Sequence, residues 1–254
     1  MKHFASYHLE LRSALHLGSR RAGIVAQTHR HAPGHLFSHA LAAAAGAQRG
    51  TTPEVFAQTL EEIRQRFRFG PAFFMEGERR LDDDEVEQRL ISSSHHVTLD
   101  PGQRCAVESA LFEIECLNAP RGIQLAGGVW LADDDRLDGE PLQAWLSRIR
   151  LGGELKTGFG RVACCHWQAD AKHYPGIGPA SPAGVLRQQG ELLPGAAVDG
   201  VEHSPLLPWL GRRHDPRLGF GRQLSKATLI RMNGRASANG PYLPDPDGCW
   251  QAAR

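Results

Sequence analysis

The feature that most constrains this chain is the order in which its hydrophobic period changes. FASYHLELRSALHLGS alternates through Tyr7, Leu9, Leu11, Leu15 and Leu17, which is the period of a strand with one face buried. The period then turns helical. GHLFSHALAAAAG predicts a short helix with Leu36, Phe37, Ala40 and Leu41 inward and Gly46 as its stop. TTPEVFAQTLEEIRQRF predicts a second helix. Thr52 caps it, Pro53 fits the first turn, and Val55, Phe56, Leu60, Ile63 and Phe67 form one stripe. The strand period returns in SSHHVTLD, ALFEIECL and GIQLAGGVWLA, where a Gly-Gly pair predicts a bulge. EPLQAWLSRIR closes the series as a helix with Leu142, Trp145, Leu146 and Ile149 on one face, and GRVACCHW is a last strand. Trp145 and Trp167 read as core. RRAGIVAQTHRHAPG reads as a loop, and RRLDDDEVEQR as an exposed charged stretch.

That order excludes all-α and all-β chains. It predicts an α+β domain over residues 1–167, a ferredoxin-like (RRM-like) antiparallel sheet with helices on one face. Residues 168–254 have a different character. HYPGIGPASPAG is turn-rich and reads as a connection, and the rest is expected to be irregular and β-rich. A second G-F-G-R, at 219–222, echoes the one at 158–161, so this extension also reads as a degenerate second ferredoxin-like half.

The net charge of the 254 residues is +1, so an anionic partner must be held by local patches. Residues 205–235 supply one, with seven lysines and arginines against the single acid Asp215, a net +6. The five cysteines include no C-x-x-C pair, which predicts reduced thiols in a cytoplasmic protein. No signal peptide and no apolar run of about 18 residues is read, so no membrane partner is expected.

RLGGELKTGFGRV, residues 150–162, holds four glycines between a helix and a strand. The lysine precedes the last glycines, and nucleotide loops leave a strand to open a helix, so phosphate-loop readings fail on context. Two readings remain open. One is a tight turn without a ligand. The other is a run of exposed amides beside Lys156 and Arg161 that lies against a sugar–phosphate chain.

A helix followed by RLGGELKTGFGRV and a strand resembles the C-terminal glycine-rich loop of the RAMP superfamily, the RNA-binding subunits of class 1 CRISPR systems. LHLGSRRAGIVAQTHRHAPGHLFSHALAAAAG resembles that family's opening, and HVTLDPGQRCAVESALFEIECL its middle section. The resemblance spans residues 3 to 167 and is strongest to type III and related subunits that cap the five-prime repeat-derived handle of the guide RNA. The RNA-cleaving backbone subunits carry an aspartate in the loop after the first strand, and GSRRAGIVAQTHRHAPG has no acid. The resemblance implies a non-catalytic subunit in antiviral defence. Its partners are guide RNA, other RAMP-type subunits and, indirectly, target nucleic acid, and it needs no cofactor. The implied RNA-facing residues are Arg20, Arg21, His29, Arg30 and His31 in the opening, and His96 and Arg104 in the middle. Gly153, Lys156, Thr157, Gly158, Phe159, Gly160 and Arg161 in the glycine loop and Arg212 and Arg213 in the basic tail complete the set.

Two rivals stay within the superfamily, a metal-independent guide-RNA endoribonuclease and a backbone-forming subunit. A third is a protein-interaction domain without RNA. The endoribonuclease would use a histidine as general base, and His29, His31, His95 and His96 are its candidates among thirteen histidines. His35 and His39 stand at i, i+4 but without H-E-x-x-H, and the acid clusters LDDDE and ADDDR read as solvated turns, so no metal site is expected. Phe159 reads either as a base-stacking ring or as an apolar pin for the loop. No nucleophile triad is read, since Cys165 and His166 are strand neighbours on opposite faces.

Overall fold

The computed structural model describes residues 1–50, 52–100, 102, 105–209, 212–215, 219–224 and 228–253. Strand β1 (His3–Leu11) leads into a hairpin of β2 (Gly18–Ala22) and β3 (Val25–Thr28). Helices α1 (Gly34–Arg49) and α2 (Pro53–Arg66) follow, then short strands β4 (Phe67–Phe69), β5 (Phe73–Glu76) and β6 (Arg79–Arg80). Next come α3 (Asp83–Leu90), the long hairpin β7 (Ile91–Asp100) and β8 (Cys105–Leu117), and β9 (Ile123–Leu131). A two-residue ladder, β10 (Arg136–Leu137) and β11 (Glu140–Pro141), precedes α4 (Leu142–Leu146). A single 3-10 turn (Leu155–Thr157) precedes β12 (Val162–Gln168).

The chain is α+β, mostly strand. Its central sheet has the order β12-β1-β9-β5-β6, with β4 also on β9, and every pairing in it is antiparallel. Helices α1, α2 and α4 cover one face. There Tyr7 and Leu9 of β1, Phe74 of β5 and Leu125 and Val129 of β9 meet Phe37, Leu41, Ile63, Trp145 and Leu146.

The opposite face is buried too, where the alternation in β1 predicts solvent. Phe4, Phe73, Met75, Ala126 and Trp130 project into a second core with Tyr174, Leu193, Val201, Tyr242 and Trp250. Trp130 stacks on Tyr174 at 5.7 Å and meets Trp250 edge-on at 5.9 Å, and its indole N–H donates to the Ser181 carbonyl at 2.9 Å. Such offset and edge contacts hold an aromatic core together beyond simple area burial. The Gly-Gly pair makes no bulge, because Tyr7 pairs with Gly127 and Ser6 with Gly128 in register. A Cβ at Gly127 would lie 2.7 Å from the Tyr7 hydroxyl, and one at Gly128 2.6 Å from the Phe4 ring. The two glycines clear space for an aromatic ring on each face of the sheet.

Residues after 168 build the far side of the second core. Strands β13 (His173–Tyr174), β14 (Gly178–Ser181), β15 (Gly184–Arg187), β16 (Leu192–Ala197), β17 (Val201–Glu202) and β18 (Leu206–Trp209) come first. They are followed by β19 (Arg212–Asp215), β20 (Gly219–Leu224), β21 (Thr228–Ala236), β22 (Gly240–Pro244) and β23 (Trp250–Ala252). All but β19 and β20, which pair with each other, join one nine-stranded sheet. Among the described residues after 168 there is no helix, whereas a second ferredoxin-like half would bring helices. The stretch read as a connection supplies β13 and β14 of this sheet.

Three local readings change. Helix α1 runs through Gly46, which lets the α2 backbone approach, with Phe56 Cα 3.7 Å from the place of a Cβ. RRAGIVAQTHRHAPG folds into the β2–β3 hairpin, whose β3 then pairs parallel to β8. The charged stretch after Arg80 is helix α3, started by a capping box in which Asp82 and Glu85 each accept the other's backbone N–H. The α2 start is as expected, with the Thr52 hydroxyl accepting from the Val55 N–H at 3.4 Å.

Candidate nucleic-acid interface

The glycine stretch leaves α4 and docks on the segment that follows β1. The Leu151 N–H donates to Gly160 O at 2.9 Å and closes the loop. Gly153 N–H donates to His16 O at 2.8 Å, Gly160 N–H to Ala14 O at 2.8 Å, and Arg161 N–H to Ser13 Oγ at 3.0 Å. Gly152, at φ +78°, would put a Cβ 2.1 Å from the His16 carbonyl oxygen, and Gly160, at φ +81°, one 2.3 Å from the Leu151 oxygen. Both positions therefore require glycine for the chain's own backbone contacts. Gly158 is also left-handed, at φ +99°, but faces open space.

This corrects the idea of a bare row of amides. The N–H groups of Gly153, Thr157, Gly158, Phe159, Gly160 and Arg161 all have partners inside the protein. What the loop offers outward is charge. The Lys156 and Arg161 side chains are exposed and make no ion pair among the described residues. The Thr157 hydroxyl donates to Glu154 O at 2.7 Å, and Phe159 is half-buried.

The receiving segment is anchored by His16, which the sequence reading passed over. Its ring is buried, and its Nδ1 is 2.8 Å from the Glu115 carbonyl oxygen of β8. The available signal was a histidine between Leu15 and Leu17, a polar group that burial obliges to find a partner. Beyond it, Leu17 N–H donates to the Thr28 hydroxyl at 2.9 Å, and Thr28 N–H to the Glu115 carboxylate at 3.0 Å. The glycine loop, the β2–β3 hairpin and β8 thus form one hydrogen-bonded unit.

The expected RNA-facing residues divide on it. Arg20 and Arg21 are exposed on β2, Arg20 donating to Gln27 at 2.6 Å. Arg30 is engaged inside the protein, on Glu87 at 2.8 Å and Glu115 at 3.5 Å. His31 is buried against Phe73, ring centroids 5.6 Å apart. Both sit where β3 turns under the sheet into α1, so the side chains expected on a loop surface are framework. Burial first, then His29 and Arg80, push His31 down to about 3. His29 is half-buried and lowered by burial and then by Arg30. His96 is half-buried and stacked on Phe112 at 5.4 Å. Arg104 lies outside the described residues, as do the side chains of Arg212 and Arg213. The second G-F-G-R lies in strand β20, unlike the first.

Chemically this surface can position an anion. Segment 12–17, which receives the loop with Lys156 and Arg161, runs straight into β2 with Arg20 and Arg21. Cationic heads on a hydrogen-bonded backbone suit phosphate contacts, which fix register without reading sequence. Burial and then Cys165 push the Cys164 thiol up to about 11.

Residues 87–173 match the family model described as CRISPR-associated protein (Cas_Cmr3). That stretch is less than half of the chain, and it contains β7, β8, β9, α4, the glycine loop and β12. No curated protein matches the sequence. The fold is similar to that of a chain in the cryo-EM structure of type III-B Cmr-beta bound to cognate target RNA and AMPPnP. The TM-score is 0.56 at 10% identity, covering 91% of this chain and 85% of the other.

Proposed function

We propose that this chain is a non-catalytic RNA-binding subunit of a type III CRISPR effector ribonucleoprotein, capping the five-prime repeat-derived handle of the guide RNA. The observation that carries the reading is the docked glycine loop, which is held by backbone hydrogen bonds to the segment leading into β2 with Arg20 and Arg21 and bears Lys156 and Arg161 without ion pairs among the described residues. The match over residues 87–173 and the likeness to a Cmr-beta chain support the type III setting, with other RAMP-type subunits as neighbours and target nucleic acid reached through the guide. The sheet supports a ferredoxin-like frame. With β1, β5, β9 and β12 counted first to fourth, the spatial order is fourth, first, third, second, and helices follow the first and the third.

The test is binding of repeat-derived RNA to the full chain and to a Lys156→Ala/Arg161→Ala variant over a salt series. Removing two phosphate-neutralising side chains lowers the log–log salt slope by about 1.4, from about 0.7 per phosphate on single-stranded RNA. An unchanged affinity and slope in a folded variant would remove the glycine loop from the interface. Incubation of the same RNA in EDTA is expected to leave it intact. Specific cutting that depends on His95 or His96 would make the chain an endoribonuclease instead.

A further inference from the structure

A second feature lies at the far edge of the central sheet. Strand β6 ends the sheet's strand order, and its outer side carries no further strand among the described residues. Between β6, the start of α3 and β16 of the C-terminal sheet runs a cleft of about 320 Å³. Arg80, Asp82 and Asp83 line one wall, and Leu192, Pro194 and Asn233 the other.

Arg80 sets the chemistry. Its stem packs against Gly176, where a Cβ would lie 3.0 Å away, and its guanidinium lies over the Phe73 ring at 5.3 Å. It makes no hydrogen bond and no ion pair within 4.0 Å among the described residues, while its neighbours are engaged. Arg30 holds Glu87 and Glu115, Arg79 holds Glu76 and Glu85, and Arg187 holds Glu191. A half-buried guanidinium fixed by a ring, attracted by Asp83 and Asp82 but in ion-pair contact with neither, keeps its hydrogen-bonding edge open to a ligand. Asp82, Asp83 and Asp84 line the same cleft, where Asp82 accepts the Glu85 N–H at 2.8 Å and Asp83 accepts from the Asn233 amide at 3.4 Å. Those three carboxylates repel a polyanion such as RNA, and Arg80 repels a purely cationic ligand. The complement is a chain that brings both signs. The free edge of β6 and the half-exposed Leu192 at the rim suit an extended backbone with an apolar side chain between its charges.

We propose that this cleft docks an extended polypeptide segment of a partner protein, with a carboxylate on Arg80 and a basic side chain on Asp83 and Asp84. The proposal is independent of the RNA reading, because neither Lys156 nor Arg161 lines the cleft.

Fluorescein-labelled hexapeptides test it by anisotropy on the full chain. One alternates Lys and Glu with Val, one carries only Glu and Val, and one only Lys and Val; a labelled oligouridine is the fourth probe. The mixed-charge peptide is expected to bind most tightly. Arg80→Gln and Asp83→Asn should each weaken it at least fivefold, and Arg80→Lys, which keeps stem and charge, should recover part of the affinity. Equal binding of the acidic peptide or of oligouridine would make this a plain anion site and overturn the proposal. So would absent binding, or binding indifferent to both substitutions in variants that melt like the parent. RNA retention by Arg80→Gln should match the parent, so failure here leaves the RNA reading standing.

Discussion

Gly158 and Gly160 stand two residues apart and answer to different constraints. Both have positive φ, but only Gly160 would drive a Cβ into a backbone oxygen, that of Leu151 at 2.3 Å. Gly158→Ala should therefore cost about 1 kcal/mol, the strain of a left-handed residue alone. Gly160→Ala should cost more than about 2 kcal/mol, since the loop must shift to admit the methyl. Urea denaturation of the two variants decides this, and equal costs would refute the close-approach account. Histidine gives a second residue-level prediction. His31 and His35 are both lowered to about 3, first by burial and then by neighbouring cations and histidines. The unfolded chain binds protons near 6.5 and the folded one does not, so stability is full above about pH 6.5 and falls as pH drops toward 3. The slope is up to about 1.4 kcal/mol per pH unit for each histidine kept neutral. His31→Phe should flatten the stability–pH curve in that window, and an unchanged curve would show that His31 is not held neutral by the fold. Neither role is legible in the sequence. A glycine's spacing does not tell whether a ligand or the chain's own carbonyl approaches it, and a histidine's identity does not tell its burial.

At the scale of elements, the strongly periodic segments are readable and the short ones are not. The Thr52 cap, Pro53 and the stripe through Ile63 locate α2 because they are local signals. Helix α3 escapes the reading although Asp82 and Glu85 spell its capping box, since eight mostly charged residues look like solvent-facing loop until the box is noticed. The two-sided burial of the central sheet is half legible. The run in β9 is almost continuously apolar, the mark of a strand covered on both faces, but what covers it lies more than forty residues downstream. Trp130 joins the layers, fully buried among Phe4, Tyr174 and Trp250. Trp130→Ala should cost about 3–5 kcal/mol and loosen the C-terminal sheet ahead of the helical layer. Hydrogen exchange should then quicken in β13 to β16 while α1 and α2 keep their protection. A uniform drop in protection across both layers would mean that the two cores unfold as one.

For the whole molecule the question is where the charge of the basic tail goes. Residues 205–235 carry a net +6 in a chain of net +1, and within a screening length of about 8 Å those charges repel one another. An internal brace would need free acids, but six of the ten acids at 82–87 and 133–140 are already ion-paired. Glu85 and Glu87 are held by Arg79 and Arg30, and Asp133, Asp134, Asp138 and Glu140 by Lys2, Arg66, Arg49 and Arg148. The two tail arginines whose side chains are described bind carbonyls instead, Arg231 that of Ser204 and Arg235 that of Gly190. The four acids left there without an ion pair among the described residues do not balance a net +6, so an external anion relieves the rest of the repulsion, and RNA or a subunit seated on RNA supplies it with release of counterions. Association should weaken steeply with salt. Neutralising Arg212, Arg213 and Arg217 should lower the slope of log affinity against log salt by about 2, at about 0.7 for each phosphate no longer neutralised, with little change in melting temperature. If melting falls while the salt slope holds, the tail braces the fold from within, and the anionic partner has to be sought at the glycine loop alone.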